Sequence, residues 1–148
     1  MPNESSHRLA VARVLSQYKV AANITGVFLI VITVLYIIRL ATSSDLWMLG
    51  PNGLITFEQF RLDAEEFRVG LPETGINLTS IVLIVHGWLY VAYLYTDFRL
   101  WSLLRWSLWR FLLIAAGGVV PFLSFFAERH YSKVAERELR DLEQKEAK

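Results

Sequence analysis

Near the middle of the apolar run Ile76–Tyr95, INLTSIVLIVHGWLYVAYLY, stands one ionisable side chain, His86, with Gly87 beside it. An imidazole in that setting can make a structural hydrogen bond, handle a proton or substrate, or ligate a metal or haem. Thr79, His86, Tyr90, Tyr93 and Asp97 follow one another at spacings of 7, 4, 3 and 4, which puts them in one stripe of a helix. Hydrocarbon cannot satisfy hydroxyls, an imidazole and a carboxylate, so this stripe is expected to face protein. His86 is expected to point toward the polar face of the first apolar segment, at Asn23, Gly26 and Thr33, or toward Gly117 and Pro121, with Tyr90 or a backbone group as its partner. Gly87 also has a steric reading, as a place where a neighbouring helix approaches.

The remaining chemistry is narrow. His7 and His130 lie outside the apolar runs, so one chain cannot supply a bis-histidine haem, though two copies of His86 could. The chain has no cysteine, which removes disulfides, thiolate metal sites and iron–sulfur clusters. Neither a glycine-rich phosphate loop nor a nucleophile elbow is present. No catalytic residue, metal or cofactor is therefore assigned. A net charge of +1 argues against nucleic acid as a partner.

The elements that must position these residues are apolar and long. Residues are 54% hydrophobic and bunched into three runs, which predict membrane helices over 20–41, 76–96 and 108–127. Four of the five tryptophans (Trp47, Trp101, Trp106, Trp109) fall near the ends of these runs, where indoles favour the headgroup layer. Each run has a small or polar face. Asn23, Gly26, Thr33 and Tyr36 form one in the first. In the third, Gly117, Gly118, Pro121 and Ser124 offer close packing and a kink. The expected fold is an all-α membrane protein, three transmembrane helices in a small bundle.

Around them, residues 1–19 form a cytoplasmic segment with a disordered start over Met1–Ser6 and a short interfacial helix. Residues 42–75 form an extracytoplasmic link. Within that link, Thr56 and Gln59 look like a capping pattern, and Phe57, Phe60, Ala64 and Phe67 recur at helical spacing, which predicts an amphipathic helix over 56–67. Phe57, Phe60 and Phe67 are its candidate docking residues. Residues 97–107 make a basic cytoplasmic link, and 128–148 a charged helical tail with i,i+4 pairs such as Glu136–Arg140. Arg8, Arg13, Lys19, Arg99 and Arg105 put the N-terminus and second link in the cytoplasm, which leaves the tail outside if there are three crossings.

ITGVFLIV in the first run, VHGWLYVAYL in the second and GGVVPFLSFFAERHY closing the third together resemble the small bacterial, especially actinobacterial, membrane proteins of domain-of-unknown-function family 3817. The resemblance covers about two thirds of the chain and implies an inner-membrane protein; the stretch Ser43–Pro72 is longer than the link expected there. That family carries no assigned activity. Two functions stay open. One is a non-catalytic accessory or assembly subunit of a larger inner-membrane complex, a respiratory complex being the leading candidate. The other is a small homo-oligomeric transporter or channel with the His86 stripe along its path. The expected partners are the lipid bilayer and either other membrane subunits or further copies of this chain.

Overall fold

A computed structural model describes residues 4–65 and 67–146. The element order is α1 (Glu4–Thr42), β1 (Ser44–Gly50), β2 (Gly53–Gln59), β3 (Arg61–Leu62), β4 (Arg68–Val69), β5 (Ile76–Asn77), α2 (Leu78–Leu104), α3 (Leu108–Gly117) and α4 (Leu123–Glu146). The protein is mostly helical, with two helices long and apolar enough to cross a membrane, α1 and α2. Within their most apolar windows only 22% of the α1 residues and 6% of the α2 residues are buried. A core helix of a water-soluble domain would be covered instead. Of the disordered start expected over Met1–Ser6, residues 1–3 lie outside the described residues, whereas Glu4–Ser6 already belong to α1.

Contacts divide the chain into two compact units, one built from α1 up to Leu29 together with everything from Trp88 onward, the other from Ile30–Gly87.

In the first unit, α1 and α2 run antiparallel, with the Tyr18 and Tyr93 rings stacked at 5.8 Å and Thr25 Oγ1 donating to Leu89 O at 3.3 Å. The third apolar run does not form one helix. α3 stops at Gly117, the chain turns through Val119–Phe122, and α4 sets off in the opposite direction. Pro121 lacks the N–H that a continuing helix would use, and Phe122 adopts φ 66°, a left-handed value that ends helical continuity. Gly117 and Gly118 are both buried at this reversal, and Gly117 is so close to Ser124 that an added Cβ would lie 3.2 Å from its Cα. Small residues here allow a hairpin, not the kink expected from the sequence.

α4 then packs back along the N-terminal half of α1. Ser124 Oγ donates to Ala22 O at 3.0 Å, Lys19 Nζ meets the Glu136 carboxylate, and Arg8 Nη1 lies 3.4 Å from Glu143 Oε1. Trp106 Nε1 donates to Glu138 at 2.9 Å, tying the α2–α3 link to the same helix. A core of Val14, Leu15, Tyr18, Tyr93, Leu100 and Ile114 fills the space between these elements. The Lys19 hydrogen bond, with the ammonium charge behind it, holds the Glu136 carboxyl below its usual range. A depressed carboxyl stabilises the fold above its unfolded pKa of about 4.3, and this contribution is lost as pH falls through the lower folded value. Both side chains are more than a third exposed, so screening keeps the pair to about 0.2–1 kcal/mol. Thermal unfolding of wild type and Glu136→Gln should differ by that amount at pH 7 and converge as pH falls through the lowered folded value.

In the second unit, β2, β1 and β5 form an antiparallel sheet in that order. Gly50-Pro51-Asn52-Gly53 makes the β1–β2 turn, with Gly50 opposite Gly53. Gly75, at φ +102°, brings the chain back so close that an added Cβ would lie 2.9 Å from Leu49 O.

This sheet corrects the amphipathic helix expected over 56–67. Thr56–Gln59 belong to β2 and Arg61–Leu62 to β3, paired with β4; Glu66, also within the expected helix, lies outside the described residues. A tight turn followed by the branched and aromatic run Ile55-Thr56-Phe57 favours a hairpin partner for β1 over a helix with no neighbour to cover it. The shielding expected for the three phenylalanines holds for Phe60 alone: Phe57 and Phe67 are exposed. The hairpin is inverted relative to a water-soluble one. Asp45, Trp47, Thr56 and Glu58 share the covered face, while Leu46, Met48, Ile55 and Phe57 share the outer one.

Candidate functional site

The tyrosines of the α2 stripe do a specific job. In an unbroken helix Ile114 O would accept from the N–H of residue 118, but Gly118 N–H bonds Ala115 O at 3.1 Å instead. The last carbonyls of a helix need other donors, and within an apolar layer water is not at hand. Tyr93 Oη donates to Ile114 O at 2.6 Å, and Tyr90 Oη to Ala115 O at 3.2 Å. The Tyr90 and Tyr93 rings stack at 6.2 Å, and Tyr90 fills the space that Gly118 leaves open. An i,i+3 pair on α2 thus closes the end of α3.

Below it lies Asp97, one helical turn beyond Tyr93 and fully buried. It sits in electrostatic range of Tyr18, Tyr90 and Tyr93, and neither carboxyl oxygen has a hydrogen-bond partner among the described residues. Such oxygens can hold a proton or accept a donor supplied by something else. The sequence stripe contains Asp97; nothing in the spacing shows that it, like Tyr93, is fully enclosed.

The other sequence-designated residues separate. Gly26 lies against Phe125, where an added Cβ would be 2.9 Å from the ring. Gly117, Gly118, Tyr90 and Tyr93 come together at the α3 end, and Pro121 is in the reversal beside them. Asn23 is exposed and donates to Lys19 O of its own helix at 2.8 Å. His86 is half-buried and, like Thr33 and Gly87, belongs to the second unit. A Cβ on Gly87 would meet nothing within 4 Å, so no neighbouring helix approaches it in that unit. Thr79 serves the sheet, its Oγ1 accepting from Leu46 N–H at 2.9 Å. Among the described residues, no group of three or more His, Asp or Glu side chains converges as metal ligands would.

One cluster has no counterpart in the sequence reading. Asp45 is buried on β1 and is reached by Arg68 Nη1 at 2.7 Å, Asn77 Nδ2 at 3.1 Å and Arg39 Nε at 3.6 Å. Both guanidiniums lie over the Phe60 ring, at 5.3 Å for Arg39 and 5.8 Å for Arg68. Arg39, Asp45, Arg68 and Asn77 lie on α1, β1, β4 and β5, so tertiary structure and not sequence proximity brings them together, Asn77 through the pairing of β5 with β1. Glu58, opposite Asp45 across the strands, is answered separately by Asn52 and Thr56.

Fold and site define a mostly helical protein with two apolar helices of membrane-spanning length, in which Thr25, Tyr90, Tyr93 and Ser124 donate to its own backbone. The chain belongs to the family described as a domain of unknown function, DUF3817, which matches residues 15–133. Neither the curated proteins nor the solved structures contain a match to it.

Proposed function

We propose that this is a multi-pass inner-membrane protein with a cytoplasmic N-terminus, acting as a non-catalytic accessory or assembly subunit of a larger membrane complex. The observation that carries the reading is where its polar and aromatic groups go. Tyr90, Tyr93, Thr25 and Ser124 are engaged with backbone carbonyls inside the first unit, while Trp88, Trp109, Phe122 and Phe126 stand exposed on it. Inner hydrogen bonds of this kind hold a scaffold together, and exposed aromatics suit contact with another protein in the membrane.

In this reading α1 and α2 cross the bilayer, and α3 with the start of α4 forms a returning hairpin in place of a third crossing. Two features support it. α3, at ten residues, is about 15 Å long, half of an apolar layer of about 30 Å. Two ion pairs of α4, through Glu136 and Glu143, are made with the N-terminal half of α1. The basic residues of the N-terminal segment, the α2–α3 link and the tail then share the cytoplasmic side.

The test is purification of the tagged protein from native membranes in mild detergent after gentle crosslinking. Recovery with a defined set of other membrane subunits supports the proposal, and recovery as a monomer or homo-oligomer alone overturns it. The second reading, a homo-oligomeric transporter or channel, draws on the enclosed Asp97 carboxyl and would gain from that latter outcome.

A further inference from the structure

We infer that the second unit contains a binding site for the phosphate of an anionic membrane lipid, lined by Arg39, Arg68, Thr79 and Ser80. A cavity of about 90 Å³ lies between the C-terminal part of α1, the start of α2 and the strand that carries Arg68. It is much smaller than the pockets of about 300–1,000 Å³ that take whole organic ligands, and suits a headgroup phosphate. Its chemistry is graded along the helices. Arg39, Arg68 and the hydroxyls of Thr79 and Ser80 line one part, Ile32 and Leu83 another. That is the outline of an amphiphile, with an anion at one end and chain carbons at the other.

Charge and donor count favour an anion. Arg39 and Arg68 are the charged residues of the cavity lining, with Asp45 behind them and Glu58, opposite Asp45 across the strands, held by Asn52 and Thr56. Ten guanidinium N–H groups also exceed the roughly four acceptor sites of a carboxylate. Planar N–H forks match phosphate oxygens well. The cavity borders the first turn of α2, capped by Asn77 Oδ1 accepting from Ser80 N–H at 2.9 Å, where the helix dipole adds a favourable field.

A lipid, and not free phosphate, is favoured by what surrounds the cavity. Leu83 lines the cavity and also exposes apolar surface, as does its neighbour Ile84 on the same helix. An acyl chain beginning at Leu83 would continue along that surface. The inference rests on the membrane reading alone, not on the accessory role, so lipid retention and subunit recovery can fail independently.

The test uses the full chain purified in mild detergent and Ser80→Glu. Position 80 is the third residue of α2, where a glutamate suits the capped N-terminus, so the variant keeps the fold while placing a carboxylate among the donors. Native mass spectrometry with equal amounts of phosphatidylglycerol and phosphatidylcholine should show wild type retaining the anionic lipid about tenfold better, and Ser80→Glu losing that preference with unchanged thermal unfolding. Ser80→Asn, which adds no charge, should retain it. Equal retention of both lipids by wild type, or an unaltered preference in a folded Ser80→Glu, overturns the site. Stabilisation by millimolar inorganic phosphate equal to that by phosphatidylglycerol overturns the lipid as its source.

Discussion

Replacing Arg39 and Arg68 together with alanine is expected to cost about 3–5 kcal/mol, the cost of leaving a buried charge without its partners. Asp45 is fully covered, and of the three side chains that reach it only Asn77 would remain. The damage should stay in the Ile30–Gly87 unit and appear as faster amide exchange in β1 and β2, whose register sets Asp45 opposite Glu58. Adding Asp45→Asn to the double variant removes the uncompensated charge and should recover most of the loss. If the triple variant exchanges as fast as the double, the cluster holds the hairpin by packing on Phe60 and not by charge.

Gly118→Ala carries the second large effect. An added Cβ would lie 2.4 Å from the Tyr90 ring, which is itself held by its bond to Ala115 O. Gly118 has an ordinary right-handed helical backbone, φ −80°, so the penalty is steric and not conformational. Overpacking of this kind costs about 1–3 kcal/mol. Tyr90→Ala in the same chain opens the space, and the two changes together should cost clearly less than their sum. Strict additivity, measured by thermal unfolding in detergent, would show that the α2–α3 contact is loose.

These two sites mark how far the sequence could be read. Apolar length and the absence of interior charge predict α1 and α2, because a helix in hydrocarbon must satisfy its own backbone whatever its neighbours. The stripe on α2 pointed at Tyr90 and Tyr93, and the glycines at 117 and 118 pointed at close packing. Their meeting depended on the reversal at Pro121. A proline in an apolar run reads equally as a kink or as a turn, and the choice is made by what lies on the other side of the chain. Here Ala22 O waits for Ser124, and Lys19 for Glu136.

The hairpin departs from the sequence pattern for a related reason. Phe57, Phe60, Ala64 and Phe67 satisfy a helical period, but Thr56, Glu58 and Phe60 also satisfy a period of two. In a water-soluble sheet the apolar alternation would have exposed the strand. In this one the covered face holds Asp45, Thr56 and Glu58, so the usual polarity signal is reversed. The Asp45 cluster joins residues 39, 45, 68 and 77 and has no local pattern at all.

The proposed topology is tested most directly by fusing, in separate copies of the full chain, a reporter active only outside the cytoplasm at the Pro51-Asn52 turn and after Lys148. Two crossings with a returning α3–α4 hairpin predict activity at the turn and none at the C-terminus, whereas activity after Lys148 would contradict them and restore a third crossing.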